Sequence, residues 1–141
     1  MSTSIGIDIG GTKVSGGVLD EDGRILVRTR CDTPDRSNAP RVVEDTIVAV
    51  IEELLVLARD AGVARPTTVG VGAAGFVAAD RSTVVFAPHL SWRNEPLREA
   101  LGKRVDLPIS IDNDANAAAW AEHRFGAGRG ASHAVMITLG T

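Results

Sequence analysis

At the head of this chain a short alternating strand runs straight into a diglycine turn, Ile5-Gly6-Ile7-Asp8-Ile9-Gly10-Gly11-Thr12-Lys13. That pairing narrows the architecture more than any other stretch of its 141 residues. Ile5, Ile7 and Ile9 are β-branched and recur with period two, which makes one strand face apolar and puts Asp8 on the other. Two glycines permit a tight turn with positive φ and leave backbone N–H groups uncovered by any Cβ. Such a turn can cradle phosphate oxygens, with the Thr12 hydroxyl as an extra donor. Asp8 is then a carboxylate placed to hold hydrated Mg²⁺ nearby. The same residues also fit a plain β-hairpin in which Asp8 caps its own turn.

Strand signals continue beyond the turn. Val14 to Leu19 reads as a second strand, Glu21-Asp22-Gly23 as a hairpin turn and Arg24 to Arg30 as a third strand. A polar loop from Thr33 leads to Pro40, which suits the first turn of a helix that Ser37, Asn38 or Asp35 could cap. Val43, Ile47, Val50, Ile51, Leu54 and Ala58 form one stripe at helical spacing, opposite Asp45, Glu52, Glu53 and Arg59, and Gly62 is a stop signal. Thr67 to Ala74 returns as a buried strand, parallel to the first because a helical crossover requires it.

Gly70-Val71-Gly72-Ala73-Ala74-Gly75 matches the dinucleotide-binding pattern G-x-G-x-x-G, but that motif needs a helix next. Here Phe76-Val77-Ala78, a polar turn at Asp80-Arg81-Ser82 and Thr83-Val84-Val85-Phe86 spell a hairpin. Gly75 is better used for a close backbone approach to a ligand or a neighbouring strand. The loop from Ala87 to Glu95 gathers Pro88, His89, Ser91, Trp92, Arg93 and Asn94, where His89 is either a surface residue or a ligand. Pro96 to Leu101 is a short helical turn closed by Gly102, and Ile109 to Ile111 is another strand.

Asp112-Asn113-Asp114-Ala115-Asn116 opens an alanine-rich helix from Ala117 to Arg124, ended by Gly126. Asp and Asn favour helix starts, which accounts for one or two of the four polar residues. The alanines should let this helix lie close against a sheet and hold its N-terminus rigidly. Ala134 to Leu139 reads as a buried strand halted at Gly140-Thr141, as expected of a piece of a longer protein. Together these elements predict an α/β domain built on a mixed sheet with helices on its faces. If the strands ending at Asp8, Gly75 and Asp112–Asp114 are parallel, the three segments converge on one sheet edge, where ligands of such sheets sit.

Composition narrows the function. The hydrophobic fraction of 44% suffices for one core, and the net charge of −3 argues against nucleic acid or an anionic membrane as partner. No apolar run approaches ~20 residues, and no secretion signal opens the chain. The single Cys31 excludes an internal disulfide or cysteine-clustered zinc site in this stretch, and a cytoplasmic location is expected.

Gly6-Ile7-Asp8-Ile9-Gly10-Gly11-Thr12-Lys13, Gly72-Ala73-Ala74-Gly75 and Asn113-Asp114-Ala115-Asn116-Ala117-Ala118-Ala119 together resemble the ROK (repressor, ORF, kinase) sugar kinases, most of all the actinobacterial glucokinases. The likeness spans the chain, and the Asn-Asp-Ala-Asn block is its most specific part. It implies an actin-like, ribonuclease-H-like ATPase fold with a five-stranded mixed sheet flanked by helices. On that pattern residues 1–130 form the N-terminal domain and 131–141 begin a truncated second one. The implied activity is transfer of the γ-phosphoryl of ATP to the 6-hydroxyl of glucose or a related hexose.

By the same resemblance Gly10, Gly11, Thr12 and Lys13 form the first phosphate loop, Gly140 and Thr141 open the second, and Asp8 holds Mg²⁺ through water. Asp114 matches the general base and Asn113 a sugar-hydroxyl ligand, with further sugar contacts implied at Gly75, His89 and Asn94. His89 stands where the family pattern has a small polar residue. Asp112 is the rival base, better suited to cap or brace. A structural Zn²⁺ motif, further sugar ligands and the adenosine pocket belong to the absent second domain, so residues 1–141 alone are expected to be catalytically silent. At full length a homo-oligomer, dimer or tetramer, is expected. The alternatives are a sugar-sensing transcriptional regulator of the same family without kinase activity, and an actin- or chaperone-like ATPase, in which the Asn-Asp-Ala-Asn block has no use.

Overall fold

The computed structural model describes residues 1–139. Three strands open the chain: β1 (Ser4–Ile9), β2 (Lys13–Leu19) and β3 (Ile25–Asp32). Helix α1 (Pro40–Asp60) crosses over to β4 (Val69–Ala73), which pairs parallel to β1 from Ile5↔Val69 to Ile9↔Ala73. A hairpin of β5 (Phe76–Val77) and β6 (Val84–Phe86) follows, joined by β7 (Arg93–Glu95). Then come α2 (Leu97–Gly102), β8 (Ile109–Asn113) and α3 (Asp114–Phe125). The main sheet is five-stranded and mixed, in the order β3-β2-β1-β4-β8, and β5-β6-β7 form a separate small sheet. Because β5 follows Gly75 directly, the G-x-G-x-x-G match lacks its helix and carries no dinucleotide site.

Period two divides the main sheet into two unlike faces. Ile5, Ile7, Ile9, Val14, Val18, Val69, Val71, Ala73 and Ile111 are buried, and they form one core with Ile47, Ile51 and Leu54 of α1. The opposite face carries Gly6, Asp8, Gly70, Gly72, Ser110 and Asp112 on three neighbouring strands. Apolar burial is therefore concentrated under α1, at roughly 1.5–3 kcal/mol for each large side chain removed from water.

The ends of α1 differ in how far the sequence anticipated them. Pro40 occupies the first turn, but Ala39 is the N-cap and no side chain caps the helix. Asp35 instead accepts from the Ser37 N–H at 2.8 Å, and the Asn38 amide donates to the Asp35 carbonyl, so these polar residues close a turn of their own. At the other end Gly62 takes φ +70, the Val63 N–H bonds Ala58 O at 2.8 Å and the Gly62 N–H bonds Arg59 O at 3.1 Å. That is a Schellman stop, as Gly62 predicted.

Two expectations fail. Ala134 to Leu139 form no strand, and Val135, Ile137 and Leu139 are exposed, because among the described residues this run meets no sheet edge to pair with. Helix α3 is not seated through its alanines either, since none of its residues is buried. It touches the sheet at its first turn, beside Gly72, and near its last residue, where Phe125 covers Gly23.

Candidate active site at the strand tips

β1, β4 and β8 run parallel, so their carboxyl ends share one edge. Register places Asp8 beside Gly72 and Gly72 beside Asp112, on the face away from α1. Strands stand about 4.8 Å apart, so the Asp8 and Asp112 backbones flank Gly72 about 10 Å from one another. The first turn of α3 drops Asp114 onto that gap: a Cβ at Gly72 would lie 3.4 Å from Asp114 Cα. Asp8 is accordingly pushed above the usual carboxylate range, first by burial and then by the negative charge of Asp114. The two carboxylates that sequence reading singled out lie close together at one sheet edge.

The diglycine turn lies at the end of β1. Gly10 N–H donates to Lys13 O at 2.9 Å, and Gly10 O accepts from the Thr33 hydroxyl at 2.8 Å. Among the described residues the N–H groups of Gly11 and Thr12 have no hydrogen-bond partner. Neither Gly10 nor Gly11 takes a positive φ, contrary to expectation. Gly11 is closely faced by His89: a Cβ there would lie 3.1 Å from His89 Cγ, and the exposed imidazole would have to shift. His89 is thus exposed and, at the same time, laid against the diglycine turn. Lys13 is committed elsewhere, in an exposed ion pair with Asp32 across β2 and β3.

Asn113 knots the site together. Its Oδ1 caps α3 by accepting from Asn116 N–H at 3.1 Å, and its Nδ2 donates to Gly75 O at 2.8 Å. Both backbone groups of Gly75 are engaged, the N–H with Ala73 O at 2.8 Å. A side chain at Gly75 would collide with the Phe86 carbonyl and come within 3.0 Å of Ala87 Cα, so the close approach expected there is to the end of β6. Asp114 Oδ1 accepts from the Ala115 N–H at 2.9 Å. Asn94 has φ 51 and is exposed on β7, and no hydrogen bond ties it to the Asn113 cluster. Gly140 and Thr141 lie outside the described residues.

A diglycine turn, two aspartates over Gly72 and an Asn-Asp helix start thus share one sheet edge. The model of the ROK family covers residues 4–141. The chain belongs to the ROK family. It is 46% identical to a glucokinase of Streptomyces coelicolor over its whole length, which is 42% of the length of that protein. Among solved structures, a ROK glucokinase of Streptomyces griseus in complex with glucose and AMPPNP superposes with a TM-score of 0.82 at 46% identity, over 92% of this chain and 38% of that one. An inorganic polyphosphate/ATP-glucomannokinase of Arthrobacter sp. strain KM gives 0.80 at 36% identity, over 93% and 51%. The actin-like ATPase fold expected of this ROK domain is the one its structural neighbours share. Transcriptional regulators belong to the family too.

Sequence reading did not anticipate one neighbour of Asp112. Arg81 sits in a polar hairpin turn whose chemistry is ordinary, yet its guanidinium reaches 3.6 Å from Asp112 Oδ2. Only the packing of the hairpin against β8 reveals it.

Proposed function

We propose that these residues are the N-terminal lobe of an ATP-dependent hexose kinase that phosphorylates the 6-hydroxyl of glucose, with residues 1–130 as the lobe and 131–141 as the start of the second. The observation that carries the reading is the meeting of Asp8 and Asp114 over Gly72, beside the open N–H groups of Gly11 and Thr12. Its counterpart is the likeness to proteins named glucokinases, one of them in complex with glucose and AMPPNP.

The chemistry follows from the placement. Phosphoryl transfer requires an acceptor hydroxyl in line with the γ-phosphate and donors aimed at its oxygens. The Gly11 and Thr12 amides supply donors at the diglycine turn. Asn113 keeps a second N–H and a lone pair for a sugar hydroxyl after its two protein bonds. Asp114 accepts the proton of the attacking 6-hydroxyl as the new bond forms. His89 and Asn94 border the sugar side, and Lys13 acts on the phosphates only after leaving Asp32.

Mg²⁺ fits this donor set: Asp8 is an exposed carboxylate on the strand beside Gly72, close to the carboxylate of Asp114. A single carboxylate reached through water, with phosphates completing the shell, is how Mg²⁺ is ordinarily held, and the ion neutralises phosphate charge. Zinc is left to the second lobe. No helix among the described residues is long and apolar enough to cross a membrane, which accords with a cytoplasmic enzyme.

A coupled ADP-release assay with a panel of hexoses on the full-length protein tests the reading, with glucose expected as the best acceptor. Polyphosphate offered in place of ATP decides the donor. Sugar binding without turnover under either donor would replace the kinase with a sugar-sensing regulator.

A further inference from the structure

We infer that Arg81 is a positioning residue that acts on the Asn113–Asp114 unit through Asp112. The inference rests on the kinase reading for its consequence but on independent contacts for its geometry. The turn that carries Arg81 is well anchored. Ala78 N–H bonds Thr83 O at 2.9 Å, Arg81 N–H bonds Ala78 O at 2.8 Å, and Arg98 of α2 holds the Ser82 and Asp80 carbonyls at 3.0 and 3.2 Å. Arg81 itself sits at φ 57, a conformation glycine adopts more readily.

From this anchored turn the guanidinium faces Asp112 Oδ2 at 3.6 Å, an ion pair and not a direct hydrogen bond. The other oxygen, Oδ1, accepts from the Asn113 N–H at 2.8 Å and from Asn116 Nδ2 at 3.4 Å. Asp112 therefore stands between the hairpin and the first turn of α3. Its rotation fixes the Asn113 peptide, whose side chain caps the helix that begins at Asp114.

Charge supports the same assignment. Asp8, Asp112 and Asp114 crowd one sheet edge, and among the described residues Arg81 is the cation that ion-pairs with any of them. Without it Asp112 is drawn toward other donors, and the cap loses its reference. The arginine is two-thirds exposed, so the effect is modest.

The test uses the full-length protein and four variants: Arg81→Met, Arg81→Lys, Asp112→Asn and the double variant Arg81→Met/Asp112→Asn. Arg81→Met should lower kcat about threefold with sugar KM little changed, as loss of one exposed ion pair allows. Arg81→Lys should recover most of that loss, and the double variant should be no slower than Asp112→Asn alone. Hydrogen exchange of residues 112–118 should quicken in Arg81→Met while residues 5–14 stay unchanged. Wild-type kcat and wild-type exchange in Arg81→Met overturn the inference. A rise in donor or sugar KM with exchange unchanged overturns it too, because Arg81 then touches the ligand directly. If the unmodified protein phosphorylates no sugar yet Arg81→Met still quickens exchange at 112–118, the latch stands and the kinase reading falls.

Discussion

Helices α1 and α3 were both legible from their residues, yet they are held by different forces. α1 buries Val43, Ile47, Val48, Val50, Ile51, Leu54 and Ala58 against the apolar face of the main sheet, whereas α3 buries nothing. The start of α3 is fixed by polar contacts, from Asn113 to Asn116 and Gly75 and from Asp112 to Asn113. One helix is thus placed by area removed from water and the other by hydrogen bonds of defined direction. Stability and catalysis should consequently respond to different substitutions.

The largest separation is expected at Asp114. In the full-length protein Asp114→Asn should lower kcat by roughly 10²–10⁴, the usual worth of a general base, while the melting temperature holds. Wild-type-like turnover would remove Asp114 from that role. On the α1 side Leu54→Ala should cost about 2–5 kcal/mol, because Leu54 is fully buried among sheet residues. Its counterpart on α3, Ala121→Ser, should stay within about 0.5 kcal/mol in the 141-residue chain. Denaturant melts of the two variants check the contrast, and equal losses would mean that α3 is seated as α1 is.

How much of this could be read in advance follows the same division. Apolar periodicity exposed β1, β4 and α1, because burial imposes a repeat on the sequence. The glycine stop at Gly62 was legible for a local reason, its left-handed φ. Parallel β1, β4 and β8 brought Asp8 and Asp114 together as the element order implied. Partners set by register or by packing were hidden. The hairpin of β2 and β3 carries a bulge between Val18 and Leu19, which moves Lys13 opposite Asp32 instead of Cys31. His89 against Gly11 and Arg81 beside Asp112 join segments far apart in the chain, and no repeat announces them. Ala134 to Leu139 misled for the opposite reason: a strand pattern specifies an apolar run, but it does not supply a neighbour.

A polar group within the α1 interface offers a finer test. Glu95 of β7 is buried, and its carboxyl is pushed up to about 7 by burial first, then by the hydrogen bond and charge of Glu44 on α1. The unfolded chain releases this proton near 4.5, so between about pH 4.5 and 7 the folded state holds a proton that the unfolded state has lost. Folding stability linked to Glu95 is therefore undiminished below that window, declines across it and is lowest above pH 7. Glu95→Gln should flatten the decline and melt higher than the wild type at pH 8. Identical melting of the two proteins from pH 5 to 8 would show that Glu95 ionises freely.

The smallest effect probes the polar side at the diglycine turn. A Cβ at Gly11 would press on His89 Cγ at 3.1 Å and His89 Cβ at 3.2 Å, but the imidazole is exposed and can give way. Gly11→Ala should consequently leave stability within about 0.5 kcal/mol. On the proposed function His89 borders the sugar, so displacing it should raise sugar KM about two- to fivefold, the reach of a weak contact coupling. The loss should vanish against the background of His89→Gly, which removes the Cβ, Cγ and Cδ2 that the added methyl would meet: Gly11→Ala/His89→Gly should match His89→Gly. If the defect lies instead in donor KM and persists in the double variant, the added methyl has closed the approach to the Gly11 and Thr12 amides. The turn would then serve the donor alone, with His89 as a bystander. Either outcome keeps the contrast with α1, because in both a single methyl changes ligand handling while the fold, secured on the other face of the sheet, is unaffected.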